Sequence, residues 1–285
     1  MHDETVAILE NRKVNGKYFK LVFRSRFLNR HVLPGQFMQM QVEPTGDPFL
    51  RRPFSYYRVN GDQVEVLYEI LGRGTALLSA RQKGETLQIA GPLGKSFTQK
   101  VGRRKRVLIA GGVGVPPLIF LSETVGADYV LIGTKSKEEI MPKREMAKVK
   151  GKVLYSTNDG SFGTKGYVTA LLEELLTKEK PENLFIQTCG PTPMMQAVFK
   201  IAKKRGIAGE ASIDKPMACG VGACLGCMVL TPDGWVASCT QGPVFPFERI
   251  SEWEATPSPA GRGQGEGKSV LPSSQPSPQG EKGKA

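Results

Sequence analysis

The stretch Arg106-Val107-Leu108-Ile109-Ala110-Gly111-Gly112-Val113-Gly114 sets the fold class for the middle of this 285-residue chain. A continuous apolar run ends here in a glycine-rich turn, and an apolar stretch suited to a helix follows. Strands without polar alternation are buried on both faces, as in parallel sheets that helices cover on both sides. The sequence therefore predicts a strand-turn-helix unit of an α/β domain.

The same alternation of strand and helix continues along the chain. Further apolar strands are predicted at Tyr129–Ile132, Val153–Ser156 and Leu184–Thr188, and helical patterns lie near Ser136–Lys148, Val168–Lys178 and Thr192–Arg205. This repetition predicts a doubly wound parallel sheet over residues 101–206.

Residues 1–100 show a different rhythm, with short β runs broken by turns such as Asn15-Gly16 and Pro34-Gly35. Strands are predicted at Tyr18–Phe23, Phe37–Val42, Phe54–Val59 and Val64–Ile70, with one short helix at Thr75–Arg81. Several short strands at this spacing predict a small antiparallel β-barrel.

Four of the five cysteines fall in a third segment, residues 207–254. Cys219, Cys224 and Cys227 follow a Cys-x4-Cys-x2-Cys pattern, and Cys239 follows after eleven intervening residues. This is the spacing of plant-type [2Fe–2S] ligands, except that the last gap is much shorter. We expect a small appended cluster module that is not a free ferredoxin domain.

Glycines at positions 220, 222 and 226 support the cluster interpretation, because they let the loop curl and bring N–H groups close to sulfur. Structural zinc is a weaker alternative, since zinc knuckles use paired Cys-x2-Cys spacings. Disulfides are weaker still, because no export signal precedes them.

The charge and the composition limit the kinds of partner that the chain is expected to have. The net charge of +12 is consistent with a solvated basic surface, or with attraction of anionic nucleotides or an acidic partner. No recognition motif indicates nucleic acid, and no apolar run of about 18 residues or apolar leader indicates a membrane or export. We expect a cytoplasmic protein.

Two further features of the sequence bear on the site and on the chain end. Neither His2 nor His31 has metal-ligand neighbours. A disordered tail is predicted over residues 255–285, which are rich in Pro, Gly and Ser.

Four short motifs predict nucleotide sites. Arg51–Ser55 combines a cation with a hydroxyl, and Leu71–Thr75 opens the short helix, so both suit phosphate contacts. Gly111–Pro117 and Thr188–Pro191 end strands at the carboxyl edge of the sheet, where ligands bind in open α/β folds. Cys189 either lines a nicotinamide site or is a buried strand-end residue.

Taken together, Arg-Pro-Phe-Ser at 52–55, Gly-Gly-Val-Gly at 111–114 and Thr-Cys-Gly-Pro at 188–191 resemble the ferredoxin–NADP reductase superfamily. The run Met217–Cys227, and Cys239 followed by Gly242-Pro243-Val244-Phe245, resemble more narrowly the electron-transfer subunits of NAD-dependent, type B dihydroorotate dehydrogenase. Asn158–Ser161 and Lys165-Gly166 also look like a loop of that family. The resemblance covers roughly Thr5 to Trp253.

The resemblance implies cofactors, site residues and a partner. FAD contacts are implied at Arg52, Pro53, Phe54, Ser55, Leu67, Tyr68, Glu69, Gly74 and Thr75, and NAD contacts at Gly112, Gly114, Cys189, Gly190 and Pro191. Two such chains are implied to assemble with two FMN-containing catalytic subunits, which oxidise dihydroorotate in pyrimidine (UMP) biosynthesis. Electrons then pass through the [2Fe–2S] cluster and FAD to NAD, and no catalytic side chain is expected in this chain.

One alternative stays open at this point. The small subunit of another flavin and iron–sulfur reductase, of the ferredoxin:NADP oxidoreductase, sulfide dehydrogenase or sulfhydrogenase type, resembles this chain through the barrel. The four-cysteine set and the Gly-Pro-Val-Phe segment favour the dihydroorotate family. A partner-binding module with structural zinc is a more distant alternative.

Overall fold

A computed structural model describes residues 1–28, 31–44 and 46–253, so the predicted tail lies outside the described residues. The first sheet contains seven antiparallel strands in the order β4-β3-β7-β1-β2-β6-β5. Its strands are β1 (His2–Lys13), β2 (Tyr18–Arg24), β3 (Phe37–Gln41), β4 (Arg52–Ser55), β5 (Arg58–Asn60), β6 (Gln63–Glu69) and β7 (Thr86–Leu93). Helix α1 (Arg73–Ala80) lies between β6 and β7.

The long strand β1 joins the two halves of this sheet. Its first half, His2–Ala7, pairs with β7, and its second half pairs with β2 after a register shift between Ile8 and Glu10. An irregularity of this kind bends a strand and increases its twist, so the sheet curls around one apolar core. The predicted antiparallel flavin-type barrel is confirmed.

The prediction of one strand over Phe54–Val59 is wrong. The chain leaves β4, which pairs with β3, and enters β5, which pairs with β6 at the opposite end of the sheet. Tyr56 and Tyr57 make this crossing and are fully buried. An apolar run can therefore mark a buried corner as well as a continuous strand.

The second sheet has six parallel strands, which lie side by side in the order β11-β10-β9-β8-β12-β13. A seventh, antiparallel strand from the cysteine-bearing segment is described below. They are β8 (Lys105–Gly111), β9 (Tyr129–Thr134), β10 (Lys152–Thr157), β11 (Thr164–Lys165), β12 (Leu184–Cys189) and β13 (Ala208–Ser212). The connecting α-helices are α2 (Val115–Val125), α3 (Lys143–Met146), α4 (Val168–Leu176) and α5 (Thr192–Arg205). Short 3-10 turns cover Gly112–Gly114, Lys137–Glu139 and Pro181–Asn183.

Helices cover both faces of this sheet, as the continuous apolar strands predict. Alternate residues of β8 enter different cores: Val107 and Ile109 pack with α4 and α5, whereas Leu108 and Ala110 pack with α2. The predicted doubly wound sheet is confirmed, and α5 has the predicted bounds. It ends at Gly206, whose φ of 67° suits the left-handed cap.

The predicted helix at Ser136–Lys148 is wrong. The structure has only the 3-10 turn Lys137–Glu139 and the four-residue helix α3 there. Pro142 separates them, because proline lacks an N–H donor and pushes the residue before it toward extended backbone. Ile140, two residues before Pro142, is already extended.

The cysteine-bearing segment adds a hairpin and an edge strand. Strands β14 (Met228–Thr231) and β15 (Gly234–Ala237) form the hairpin, and α6 (Ser238–Gln241) follows. Strand β16 (Val244–Pro246) then pairs antiparallel with β13 at the edge of the second sheet. Turns at Phe247–Arg249 and Ser251–Trp253 close the described chain. None of its helices is long and apolar enough to cross a membrane.

An ionic interface, formed by Lys20, Arg58, Glu123 and Glu145, joins the barrel to the second sheet's helices. Arg58 of β5 contacts Glu123 of α2 at 2.5 Å and Glu145 of α3 at 2.9 Å, and Lys20 lies 3.0 Å from Glu145. These side chains are 4–12% exposed. The described residues pack as one compact unit, so the domain limits at residues 100, 206 and 254 stay predictions.

Candidate functional site

The first cavity lies where the barrel meets the second sheet and the cysteine-bearing segment, and it measures about 210 Å³. Its walls include seven residues predicted to contact FAD: Pro53, Phe54, Ser55, Leu67, Tyr68, Glu69 and Thr75. The other two, Arg52 and Gly74, do not line it. They touch each other beside it, because a Cβ on Gly74 would lie 2.9 Å from Arg52 Nε.

The start of α1 differs from the phosphate site expected from the sequence. The N–H groups of Leu71 and Gly72 both donate to the Thr75 hydroxyl, at 2.9 and 3.2 Å. These amides are therefore satisfied within their own turn. The Thr75 hydroxyl in turn donates to the Gly72 carbonyl at 3.1 Å.

Cys189 ends β12 in the wall of the first cavity, together with Gly190. The side chain is buried, and burial raises the pKa of the thiol to about 12. The residue is thus a strand-end thiol, protonated at neutral pH, that also faces a cavity. Its predicted role toward nicotinamide stays a prediction.

A second cavity of about 430 Å³ opens at the carboxyl edge of the parallel sheet. Gly112 and Pro191, two of the residues predicted to contact NAD, line it together with Lys17 and Lys135. Gly114 does not, and its backbone lies so close to the Cys189 carbonyl that a Cβ would collide with it. Only glycine permits this approach of helix turn and strand.

The Gly112–Gly114 turn separates the two cavities. Gly112 faces the second cavity, whereas Val113 lines the first. Tyr18 fixes the turn by donating its hydroxyl hydrogen to the Gly112 carbonyl at 2.8 Å. Lys17 contacts Glu69 at 3.5 Å beside it, yet burial outweighs this attraction and raises the pKa of Glu69. One short turn therefore contributes to both walls.

The four clustered cysteines approach one another as two pairs. The Cys224 N–H points at Cys219 Sγ, and the Cys239 N–H points at Cys227 Sγ, each at 3.4 Å. All five cysteines are free thiols. Within the described ranges, no three of the His, Cys, Asp or Glu side chains are grouped so as to hold one metal ion.

Backbone N–H groups converge on these sulfurs from the glycine-rich loop. Val221 donates to Cys219 Sγ at 3.4 Å, and Gly222 donates to Cys239 Sγ at 3.1 Å. Hydrogen bonds from Val221 and Cys224 lower the pKa of Cys219 to about 6, whereas burial raises the pKa of Cys239 to about 12. The loop thus favours negative charge on sulfur at its exposed end.

An apolar interface, formed by Phe37, Leu93, Cys227, Ala237 and Cys239, joins this segment to the barrel. Phe37 of β3 and Leu93 of β7 pair across the barrel sheet and pack against the two buried cysteines. Met217 packs against the same group and also lines the first cavity. The cavity wall and the cysteine loop are therefore continuous.

Sequence reasoning missed several cavity residues. In the first cavity they include Phe37, Val113, Ser212, Ile213, Asp214, Met217 and Pro243, and in the second Thr134, Tyr167 and Met194. Phe37, Val113, Met217 and Pro243 lie inside segments already singled out in the sequence. The others reach the cavities only through long-range packing, which no local pattern reveals.

These features define a two-part fold class, in which an antiparallel barrel and a doubly wound parallel sheet share a cleft. An NADH-dependent reduced ferredoxin–NADP oxidoreductase structure superposes with a TM-score of 0.77 at 24% identity, covering 87% of this chain and 91% of that one. A ferredoxin NADP⁺ reductase from Neisseria gonorrhoeae, with bound FAD and NADP, has a TM-score of 0.60 at 18% identity over 72% of this chain and 92% of its own. At these identities the likeness concerns the fold.

Sequence relatives identify the family. The "Dihydroorotate dehydrogenase B (NAD(+)), electron transfer subunit" of Caldanaerobacter subterraneus subsp. tengcongensis is 33% identical, covering 85% of this chain and 96% of the relative. That of Clostridium acetobutylicum is 35% identical, covering 84% and 93%. Residues 214–251 match the model of the iron–sulfur cluster binding domain of dihydroorotate dehydrogenase B. The chain belongs to the family of dihydroorotate dehydrogenase B electron transfer subunits.

Proposed function

We propose that this chain passes electrons from the FMN of a dihydroorotate dehydrogenase catalytic subunit, through a [2Fe–2S] cluster and FAD, to NAD⁺. The observation that carries the proposal is the shared wall of the first cavity. Barrel strands, the end of β12 and the segment that leads into the cysteine loop all line it. Met217, two residues before Cys219, lines this cavity and would border a flavin bound there.

The cysteines fit a binuclear cluster. A [2Fe–2S] centre has two irons that each take two protein ligands. Cys219 with Cys224, and Cys227 with Cys239, form two adjacent pairs, which supports assigning all four as ligands. The N–H groups of Val221 and Gly222 would offset the negative charge of the sulfurs.

The barrel residues named above would hold FAD in the first cavity, and Gly112 and Pro191 would border NAD in the second. When bound, the cluster would supply one-electron transfer and FAD would supply two-electron transfer to NAD. The chain itself binds, orients and excludes water. With a raised pKa, the Cys189 thiol stays protonated and adds no charge to the wall.

The exposed side of the cysteine loop suits entry of electrons from a partner. Cys224 is exposed, and Val221 and Leu225 beside it are exposed apolar side chains. We infer that the FMN-containing catalytic subunit docks at this face, in an assembly of two chains of each kind. The five free thiols agree with a cytoplasmic setting, where thiols stay reduced.

Co-expression with an FMN-type dihydroorotate dehydrogenase subunit tests the proposal. We expect a stable complex that reduces NAD⁺ with dihydroorotate, and visible absorption from both flavin and iron–sulfur groups. Cys224→Ser should retain FAD and lose at least about 100-fold in dihydroorotate-dependent NAD⁺ reduction. Cys189→Ser serves as the control and should keep full iron content. The absence of a complex, or full activity in Cys224→Ser, would contradict the proposal.

A further inference from the structure

Gln39, in the middle of β3, is a buried amide without a partner. The residue is 1% exposed, and neither its Oε1 nor its Nε2 has a hydrogen-bond partner in the part of the chain that the structure describes. An amide buried without partners is destabilising, because it has lost its hydrogen bonds to water. Buried polar groups are nearly always satisfied, so this side chain calls for an acceptor or donor that the protein itself does not supply.

The Gln39 amide faces the cysteine loop. A Cβ added to Gly220, the residue after Cys219, would lie 2.9 Å from Gln39 Nε2 and 2.7 Å from its Cγ. Gly220 also has a φ of +72°, which favours glycine. The loop therefore rests directly on the amide, at the position next to a predicted iron ligand.

The neighbours of Gln39 place it between the two redox sites. Phe37, two residues earlier and hence on the same face of β3, packs against Cys227 and Cys239. On the adjacent strand, Gln39 pairs with Pro53, which lines the first cavity. The side chain thus stands on the barrel wall that separates the cavity from the cysteine loop.

We propose that Gln39 Nε2 donates a hydrogen bond to a sulfur of the iron–sulfur centre near Cys219, and so raises its reduction potential. This inference rests on the proposed cluster site. Sulfur in such a centre is negatively charged, and the reduced form carries one negative charge more than the oxidised form. A donor N–H stabilises the reduced form more strongly, and the sulfur in turn satisfies the buried amide. Gln39 is a positioning and tuning residue, since it acts on the potential through this bond.

Gln39→Leu tests the inference, because leucine removes both polar atoms and suits a buried site. The assay is an EPR-monitored redox titration of the anaerobically purified chain that holds its cluster and FAD. At an ambient potential equal to the wild-type midpoint, we expect the ratio of reduced to oxidised cluster to fall about threefold to tenfold. For a one-electron couple, tenfold corresponds to about 59 mV.

Gln41→Leu is the matched control. Gln41 lies two residues further along the same strand, and its amide already donates to the Glu43 carbonyl at 3.1 Å. Its replacement should leave the cluster midpoint at the wild-type value. A lowered midpoint in Gln41→Leu equal to that in Gln39→Leu would overturn the inference.

Two further outcomes are decisive. A Gln39→Leu chain with full iron content and the wild-type midpoint overturns the inference and leaves the proposed function intact. If that variant does not fold, Gln39→Met replaces it, because methionine is unbranched like glutamine and has no N–H to donate. An unchanged midpoint in Gln39→Met also overturns the inference. A wild-type chain that binds no iron contradicts the proposed function itself.

Discussion

The barrel meets the rest of the chain across two interfaces of opposite chemistry. The ionic interface directs Arg58 and Lys20 onto Glu123 and Glu145. The apolar interface instead packs Phe37 and Leu93 onto thiols. In the ionic interface the charged side chains pair with one another. The apolar interface contains Cys227 and Cys239, which we assign as iron ligands. Stability of the ionic interface should therefore depend on pH, and that of the apolar interface on the cluster.

The largest expected effect comes from breaking the ionic interface. Arg58→Met leaves the buried Glu145 and Glu123 with fewer cationic partners, and removing one member of a buried ion pair costs about 3–5 kcal/mol. Urea unfolding of the cluster-loaded chain measures this loss. Arg24→Met removes an exposed pair with Asp62 and should cost less than about 1 kcal/mol. If both variants lost the same free energy of unfolding, the buried ion pairs would contribute no more to stability than the exposed pair.

The apolar interface is tested by two leucines of β7. Leu93→Ala and Leu87→Ala both truncate buried side chains and should each lower the free energy of unfolding by about 2–4 kcal/mol. Only Leu93 packs against Cys227 and Cys239, whereas Leu87 lies in the barrel core. Iron release to a chelator should therefore accelerate in Leu93→Ala alone. Equal release rates would argue that the interface does not protect the cluster.

The stability that the ionic interface contributes should depend on pH through Glu145. Burial by itself would raise the pKa of Glu145, but hydrogen bonds and charges from Lys20 and Arg58 outweigh it and lower the pKa below 4.5. The ionised carboxylate thus adds stability that is complete above pH 4.5 and is lost as the pH falls below it. The difference in melting temperature between wild type and Glu145→Gln should shrink from pH 6 to pH 4. Acid release of the cluster affects both chains and cancels in this difference. A constant difference would contradict the prediction.

The smallest expected effect concerns the backbone of the cysteine loop. Leu225 has a φ of 54°, a left-handed conformation that costs a residue with a Cβ about 1 kcal/mol. Leu225→Gly should raise the free energy of unfolding by about 0.5–1 kcal/mol. Val221→Gly, in the same loop but without a positive φ, should lower it slightly. Denaturant titration of both variants checks the sign, and a loss in Leu225→Gly would refute the prediction.

Local sequence patterns predicted most strands, the glycine-rich turns and the cysteine motif, because each of these features depends on residues that are close together in the sequence. The helical pattern near Thr192–Arg205 matches the bounds of α5. Two predictions failed for particular reasons. The buried residues Tyr56 and Tyr57 were included in one predicted strand, but the chain turns there from β4 to β5. Pro142 interrupts the helical pattern predicted for Ser136–Lys148. Asp214, Met217 and Gln39 acquire their positions only when distant segments pack together.

The order of the cysteines along the chain has one further consequence. Three of them precede the β14–β15 hairpin and the fourth follows it, so a shared inorganic centre would tie both ends of the hairpin together. Such a tie acts as a reversible cross-link, and closing a loop of this order restricts the unfolded chain by about 3 kcal/mol. Without the centre this tie would be absent, so we expect a protease to cleave the β14–β15 hairpin more readily in iron-free copies than in loaded ones.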